Sequence, residues 1–310
     1  MRFAITHPMV SHPYDRGLAS GAGVAEVAQA AERAGFDGIG FTDHPAPSQR
    51  WLEGGGHDAL DPFVALSWCA AVTERIRLIP NIVVLPYRNP FVVAKAVATL
   101  DVLSGGRFTL AVGAGYLKSE FAALGVDHHE RNELFDEAID VLKAIWTTDD
   151  VSFEGRHFSA RGVTSHPRPT SDPHPPIWIG GNSAQARQRV ADRGDGWAPF
   201  PAPAGVARTA RTVVLDTPDL LAAALDDLRM RLEGADRDPA SVDVCFACRD
   251  GGDPASDDFD AAAHLGGLTE LANIGVTWVQ VGLPGDSVSH AVEVLARYGE
   301  QVIGAHRSPP

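Results

Sequence analysis

Apolar positions along the chain alternate between short continuous runs and longer stretches in which they recur every three or four residues. The continuous runs number eight and cover residues 2–7, 38–42, 76–85, 108–113, 176–180, 196–200, 242–247 and 277–283. Short apolar runs of this kind, bounded by glycine, proline or polar residues, are typical of strands that are buried on both faces. The pattern therefore predicts strands that alternate with helices, as in a parallel βαβ protein.

The predicted helices lie between these strands. Residues 131–147 place Leu134, Phe135, Ala138 and Ile139 on one stripe, as expected for a helix that packs on a sheet. Similar stripes cover residues 23–34, 61–73, 90–103, 217–233, 259–274 and 287–299, and several are followed by a glycine that is predicted to end the helix in the left-handed conformation: Gly35, Gly105, Gly234 and Gly275. Eight strands favour a TIM (β/α)8 barrel over a doubly wound sheet, which usually has about six.

Three regions interrupt this regular alternation. Residues 148–175 predict a short hairpin and a proline-rich loop inserted before the fifth strand, and residues 201–216 and 249–258 predict loops. Barrels of this class reach the length of the chain as one unit, so we expect a single domain over residues 1–310.

Composition and charge exclude several classes of function. The formal net charge of −14, without a large Lys/Arg cluster, argues against nucleic acid as a partner. No apolar run reaches the roughly 18–20 residues needed to cross a membrane, and the N-terminus lacks the apolar core of a signal peptide, which predicts a cytoplasmic protein. Cys245 and Cys248 form a CxxC in an apolar segment without a second cysteine pair, so packing is favoured over a redox or zinc site.

Asp43 and His44 directly follow the second predicted strand. In a parallel barrel this position lies at the carboxyl-terminal rim, where catalytic groups collect. A histidine is not needed there for packing, so we expect it to take part in chemistry. The alternative is a loop histidine that is hydrogen-bonded to its neighbours.

Two glycine-containing turns follow later strands. Gly113, Gly115 and Tyr116 follow the fourth strand, with a helix predicted to begin near Leu117 or Lys118. After the fifth strand, four small or polar residues precede a helix and form a candidate phosphate site: Gly180, Gly181, Asn182 and Ser183. An ordinary strand-to-helix turn is the alternative at this second position.

The third strand contains Pro80 and Pro86, which conflict with regular ladder pairing and predict a bulge near Asn81. Metal binding is poorly supported, because there is no HxH or HExxH pattern. His128 and His129 are adjacent and cannot share a helix face, so we interpret both as solvated loop residues.

Three segments together resemble the bacterial luciferase-like superfamily of flavin and deazaflavin oxidoreductases: FDGIGFTDH (36–44), LDVLSGGRFTLAVGAGY (100–116) and PPIWIGGNSAQARQRVADRGDGW (175–197). Within it, the chain is most similar to the branch that uses coenzyme F420 in place of FMN. The resemblance implies a TIM barrel, often a homodimer, with the coenzyme ring over the barrel mouth. It also implies a non-prolyl cis peptide in the third strand, at about Asn81-Ile82.

Site roles carried over from this resemblance fall on the residues already singled out. Asp43 and His44 would lie by the reactive carbon of the coenzyme ring, and Gly113 and Gly115 would line it. The coenzyme phosphate would be held by backbone N–H groups of Gly180, Gly181, Asn182 and Ser183.

One departure from the superfamily concerns the substrate. Sugar-phosphate dehydrogenases of this group carry a glutamate just after the GxG, where this chain has Tyr116, and Glu120 lies one helical turn further. Their Lys and Arg substrate clamp is also not evident, so a sugar phosphate is not expected. We expect hydride transfer between F420 and a small organic alcohol, carbonyl or enone. In this reaction His44 exchanges the proton, Asp43 orients or charge-stabilises its imidazole and Tyr116 hydrogen-bonds the ring or substrate.

Three alternative functions remain open at the level of sequence. The first is an FMN-dependent monooxygenase that works with a separate reductase, the second a noncatalytic flavin-binding protein, and the third a metal-dependent barrel hydrolase. Substrate identity depends on loop geometry, although Trp51, Trp197 and Phe200 indicate either an aromatic-lined cavity or core packing.

Overall fold

The computed structural model describes residues 1–307, so residues 308–310 at the end of the predicted domain lie outside the described part. Its strands, in chain order, are β1 (Arg2–Thr6), β2 (Gly38–Gly40), β3 (Arg77–Leu78), β4 (Val83–Val84), β5 (Leu110–Gly113), β6 (Val151–Glu154), β7 (Ser159–Val163), β8 (Ile177–Gly180), β9 (Gly196–Ala198), β10 (Asp243–Phe246) and β11 (Trp278–Val281). Each of the eight predicted strands is present, although the observed strands are shorter.

The main sheet has the order β3-β2-β1-β11-β10-β9-β8-β5-β4, and its pairs are parallel. Strands β3 and β4 are two parts of the third predicted strand, so the two ends of this order meet. A parallel bridge joins Leu78 of β3 to Phe108, two residues before β5, and so closes the circle. The sheet therefore wraps round as in a TIM barrel, and the predicted fold class is confirmed. The predicted hairpin within 148–175 is also confirmed, because β6 and β7 pair antiparallel outside the barrel.

The helices are α1 (Gly21–Arg33), α2 (Gln49–Glu53), α3 (Pro62–Val72), α4 (Pro90–Ser104), α5 (Lys118–Ala123), α6 (Arg131–Thr147), α7 (Ala184–Arg193), α8 (Ala204–Ala210), α9 (Pro218–Gly234), α10 (Ala261–Ile274), α11 (Val288–Tyr298) and α12 (Ala305–Arg307). A 3₁₀ turn covers Leu85–Tyr87, another covers Pro239–Ser241, and a π-helical segment, Gly299–Gly304, joins α11 to α12. Within residues 1–307, no helix combines the length and apolar character that a membrane span requires.

Two local predictions are wrong. Residues 201–216 are not simply a loop, because α8 begins after Pro203, whose fixed φ suits a helix start. Gly234 does not end its helix in the left-handed conformation; it lies within α9, and Asp236 two residues later has the positive φ of 54°. Gly35, Gly105 and Gly275 do have positive φ, as predicted.

The barrel interior is filled by its own side chains. Ala4, Ile79, Ala111, Trp178, Cys245 and Trp278 form a buried cluster inside the strands. The Trp178 and Trp278 rings meet edge to face, with their centroids 5.3 Å apart. These two large rings fill the barrel interior below its carboxyl-terminal mouth. A ligand can therefore reach the barrel axis only through that mouth.

Candidate functional site

A cavity of about 1380 Å³ lies at the carboxyl ends of the barrel strands. The structure brings all eleven predicted site residues to its wall: Asp43, His44, Asn81, Ile82, Gly113, Gly115, Tyr116, Gly180, Gly181, Asn182 and Ser183. They come from four segments that are far apart in the sequence, and the parallel barrel collects them because every strand ends at the same rim.

His44 is held by a carboxylate from another segment. Its Nδ1 lies 3.2 Å from Oε2 of Glu120, which is in the first turn of α5 and fully buried. The same oxygen accepts a hydrogen bond of 2.9 Å from the hydroxyl of Tyr87, and Oε1 accepts one of 3.2 Å from the backbone N–H of Ala46. Because a carboxylate can only accept, His44 donates from Nδ1, and whenever the ring carries a single proton Nε2 is the acceptor.

Tyr87 is fixed as a hydrogen-bond donor in this cluster. Burial, reinforced by the negative charge of Glu120, raises the pKa of the Tyr87 phenol far above its ordinary value. The phenol therefore stays protonated and continues to donate to Glu120. From the sequence, Glu120 stands out only because it lies one helical turn after Tyr116. Its contact with His44 joins residues 76 positions apart, which spacing cannot reveal.

Asp43 is not the hydrogen-bond partner of His44, so the prediction that it orients the imidazole is wrong, whereas stabilisation of the imidazole charge stays a prediction. Its two oxygens accept hydrogen bonds of 2.5 and 2.8 Å from the guanidinium of Arg88, and Oδ2 also accepts one of 2.8 Å from the N–H of Val84. Neighbouring residues at the end of a strand point in different directions, so Asp43 faces the end of the third strand while His44 faces the cavity. Asp43 stabilises the rim.

Aromatic rings surround His44 on the cavity side. The ring centroids of Trp51, His57 and Tyr116 lie 4.6, 5.1 and 6.4 Å from that of His44. Burial lowers the pKa of His57, and its Nδ1 donates to the carbonyl of Asp58 at 3.0 Å, so its ring is neutral. Burial and the charge of Glu120 raise the pKa of Tyr116, whose phenol is likewise neutral. The sequence alone does not predict that His57 belongs to the site, because His57 lies in an irregular loop.

The floor of the cavity is the irregular third strand. The peptide bond between Asn81 and Ile82 is cis, as the resemblance implied. The amide of Asn81 donates to Thr6 Oγ1 at 2.8 Å. The Ile82 side chain lies over Gly113, where a methyl group would be 2.0 Å from its Cδ1. Gly113 therefore makes room for Ile82 to project between the strand ends.

The turn after β8 offers free backbone donors. Ser183 caps α7 through its hydroxyl, which accepts from the N–H of Ala186 at 3.2 Å. The N–H of Gly181 donates to the carbonyl of Ala198, so it is already used. The backbone N–H groups of residues 182–185 have no acceptor among residues 1–307. This stretch, the phosphate turn, lies at a helix N-terminus and can bind an anion.

Asn182 contributes to the phosphate turn through packing. Its side chain is fully buried, accepts from the N–H of Phe200 at 3.0 Å and donates to the Phe200 carbonyl at 2.9 Å. Trp197 is core and donates to the carbonyl of Gly181 at 2.9 Å, whereas Trp51 and Phe200 line the cavity. Hydrogen bonds from Trp197 and with Phe200 thus hold the turn in place.

The prediction that His128 is solvated is wrong, whereas His129 is exposed. The His128 ring is buried edge-on against Phe121, with a centroid distance of 5.1 Å, because the connection from α5 to α6 folds over that phenylalanine. The three cysteines are free. Within residues 1–307 no three His, Cys, Asp or Glu side chains are grouped so that they could hold a metal ion.

Two curated relatives of this chain are oxidoreductases that use different coenzymes. Over 176 residues the chain is 36% identical to the FMNH(2)-dependent dimethylsulfone monooxygenase of Pseudomonas putida, covering 56% of this chain and 46% of that protein. Over 174 residues it is 38% identical to the F420-dependent glucose-6-phosphate dehydrogenase of Beutenbergia cavernae, covering 54% and 49%. The chain thus spans about half the length of these curated relatives.

A solved structure extends the agreement in fold to the whole chain. The monooxygenase RslO1 from Streptomyces bottropensis superposes with a TM-score of 0.81 at 20% identity, covering 99% of this chain and 100% of that one. The model of the luciferase-like monooxygenase family matches residues 1–264. The chain therefore belongs to the luciferase-like monooxygenase family, whose members include FMN- and F420-dependent oxidoreductases.

Proposed function

We propose that this protein is an F420-dependent oxidoreductase that transfers a hydride between C5 of the deazaflavin and a small organic alcohol, carbonyl compound or enone. The observation that carries the proposal is the cavity itself. It has a carboxylate-anchored histidine on one part of its wall and a turn of free N–H groups on another.

The residues of the cavity fit a coenzyme with a flat ring system and a phosphate. Ile82 and Gly113 offer an apolar shelf for the ring beside His44, and the phosphate turn offers donors for the phosphate. When bound, F420 supplies a two-electron carrier that exchanges hydride and does not readily activate oxygen. The protein's own contribution is then to orient the substrate, exclude water and move one proton.

His44 is the group that handles this proton. In the direction of alcohol oxidation, the carbinol C–H bond breaks and its electron pair leaves with the hydrogen as hydride. The O–H bond also breaks, its proton passes to Nε2 of His44 and its electron pair forms the carbonyl. Glu120 stabilises the imidazolium that results, because the opposite charge is 3.2 Å from Nδ1. In the reverse direction His44 returns the proton to the substrate oxygen.

The rings near His44 favour a substrate with apolar parts. Trp51 and Tyr116 provide aromatic surface, and neutral His57 adds a polar group without charge. A compact alcohol, ketone, aldehyde or enone therefore suits this part of the cavity better than a phosphorylated sugar.

The proposal is tested by assaying purified protein with F420 against a panel of alcohols and, with reduced F420, against carbonyls and enones. We expect the absorbance of F420 to change as substrate is consumed, without uptake of oxygen. His44→Ala should lower kcat by about 10²–10⁴-fold while coenzyme binding is retained. Oxygen uptake with reduced FMN, and no turnover with F420, would instead identify the protein as an FMN-dependent monooxygenase. Activity of His44→Ala within a few-fold of wild type would remove the proton role.

We also propose that the protein is a homodimer. The outer surfaces of α3 and α4 carry large exposed apolar side chains: Val64, Trp68, Val92 and Leu103. The two helices are neighbours round the barrel. Barrel helices normally expose polar side chains, so an apolar surface shared by adjacent helices supports burial against a second copy.

A further inference from the structure

The part of the cavity next to the phosphate turn is lined by three arginines that come from different helices. Arg189 of α7 is already paired: its guanidinium donates to Asp136 at 2.6 and 3.0 Å. Arg131 donates only to the carbonyl oxygen of His128, at 2.9 Å, and Arg211 has no side-chain acceptor among residues 1–307. Next to the phosphate turn, two guanidinium groups thus reach the cavity without a carboxylate partner, in a chain of net charge −14.

The nearby acidic groups are engaged elsewhere. Glu130 and Glu133 both pair with Arg156 on the inserted hairpin, and Asp136 pairs with Arg189. They do not neutralise Arg131 or Arg211. The positive charges therefore remain available to a ligand.

Two helix N-termini reinforce the positive potential. Helix α6 begins at Arg131 and has no side-chain cap, and α7 begins beside the phosphate turn. Arg189 joins them, because its Nη2 donates to the carbonyl of Asn132 at 3.1 Å. The positive ends of both helix dipoles thus meet at one wall of the cavity.

The arginines repel one another in the absence of an anion. Burial lowers the pKa of Arg131, and the charges of Arg211 and Arg189 lower it further, which indicates that the three cations are within electrostatic reach. Arg211 occupies the left-handed region, with φ 53°, at the end of α8. A bound anion would offset this repulsion, so the arrangement favours a negatively charged ligand.

We infer that Arg131 and Arg211 form a second anion subsite, beside the phosphate turn, for carboxylates that extend beyond the coenzyme's phosphate. This inference rests on the proposed function. F420 continues past its phosphate into a chain of glutamates, whereas FMN ends at its phosphate. A subsite of this kind gives affinity to the glutamate-bearing coenzyme and none to FMN.

The test compares F420 carrying its glutamate chain with the deazaflavin that lacks glutamate, each titrated into the protein by fluorescence quenching at low and high salt. We expect the wild-type protein to bind the glutamate-bearing form about tenfold more tightly at low salt, with the difference reduced at high salt. Arg131→Gln/Arg211→Gln should bind both forms equally. Arg208→Gln is the matched control, because Arg208 is an exposed arginine of α8 that does not line the cavity.

Each outcome decides one claim. Equal wild-type affinity for the two deazaflavins would overturn the subsite and leave the proposed function standing. A preference for the glutamate form that persists in the double variant would also overturn it, since the chain would then bind elsewhere. Binding of FMN with no binding of either deazaflavin would overturn the proposed function itself. Should the double variant fail to fold, Arg211→Gln alone serves, because Arg211 is exposed.

Discussion

Two carboxylates lie near His44, and at the scale of single residues they have different tasks. Glu120 contacts the imidazole, whereas Asp43 binds Arg88 and the backbone of the third strand. Both are buried, so each is needed to satisfy its partners. Glu120 is therefore a positioning residue for His44, and Asp43 is a structural residue of the rim.

Replacing each carboxylate by its amide should separate these tasks. Glu120→Gln retains the shape but removes the charge that stabilises the imidazolium, so kcat should fall by about 10²-fold with little change in coenzyme Kd. Asp43→Asn leaves the Arg88 guanidinium without its charged partner and should lower the free energy of unfolding by about 3 kcal/mol. Steady-state kinetics, coenzyme titration and urea unfolding of both variants measure this contrast. Equal loss of kcat and coenzyme affinity in Glu120→Gln would contradict the positioning role.

His7 should make folding sensitive to acid. Burial lowers its pKa from 6.5 to about 4, and its ring donates from Nε2 to the carbonyl of Leu18 at 2.8 Å. Below pH 6.5 the unfolded chain binds a proton at His7, whereas the folded protein binds that proton only near pH 4. Stability is therefore present above pH 6.5 and is lost as the pH falls, by about 3 kcal/mol from this residue. Urea unfolding between pH 7 and 4 should show a smaller loss in His7→Gln, and equal losses would contradict the assignment.

The sequence predicted the residues that stand at strand ends better than it predicted their partners. Asp43 and His44 could be located because a polar pair interrupts an apolar run at a position that the barrel fixes. The partners of His44 come from α5 and from the loop that contains His57, and no periodicity connects these segments to β2. The buried ring of His128 was missed for the same reason, since its burial depends on tertiary contact with Phe121.

At the scale of elements, the close approach of β2 to the third strand holds the site together. A methyl group on Gly40 would lie 2.0 Å from the carbonyl oxygen of Ile79. The N–H of Asn81 donates to the carbonyl of Phe41 at 2.8 Å just beyond this contact. The strand that carries His44 and the strand that carries the cis peptide are therefore spaced by a glycine.

Gly40→Ala should force these two strands apart. The clash is with backbone, which cannot rotate away, so we expect the free energy of unfolding to fall by about 1–3 kcal/mol and coenzyme affinity to fall with it. Gly234→Ala is the control, because nothing lies within 4 Å of the added methyl group in α9. That change should raise stability by about 0.5–1 kcal/mol. An unaltered coenzyme Kd in Gly40→Ala would show that the strand spacing does not govern the site.

Elements with strong periodicity were predicted well, and elements set by context were not. Helix α6 matches the predicted residues 131–147, because its apolar stripe is continuous. Helix α8 was missed because its sequence, rich in alanine and glycine, has few large apolar residues to form a stripe. The split of the third strand into β3 and β4 was anticipated from its prolines, although proline alone could not show where pairing resumes.

At the scale of the whole molecule, the apolar outer surface of α3 and α4 predicts the state of assembly. Trp68→Lys combined with Leu103→Lys should convert a dimer to a monomer, because charges would be buried at the contact. Met230→Lys, at an equally exposed apolar position on α9, is the matched control and should leave the dimer intact. Light scattering coupled to size exclusion measures the mass of each. A wild-type monomer at micromolar concentration would contradict the homodimer.

The choice of coenzyme is the central claim, and direct titration tests it most simply. Purified apoprotein is titrated separately with F420 and with FMN, and fluorescence quenching of each is followed. The arrangement of His44, the phosphate turn and the two arginines without a carboxylate partner, Arg131 and Arg211, predicts tight binding of F420 and weak binding of FMN. Tight binding of FMN with no binding of F420 would contradict the account and would make an oxygen-consuming monooxygenase the function to pursue.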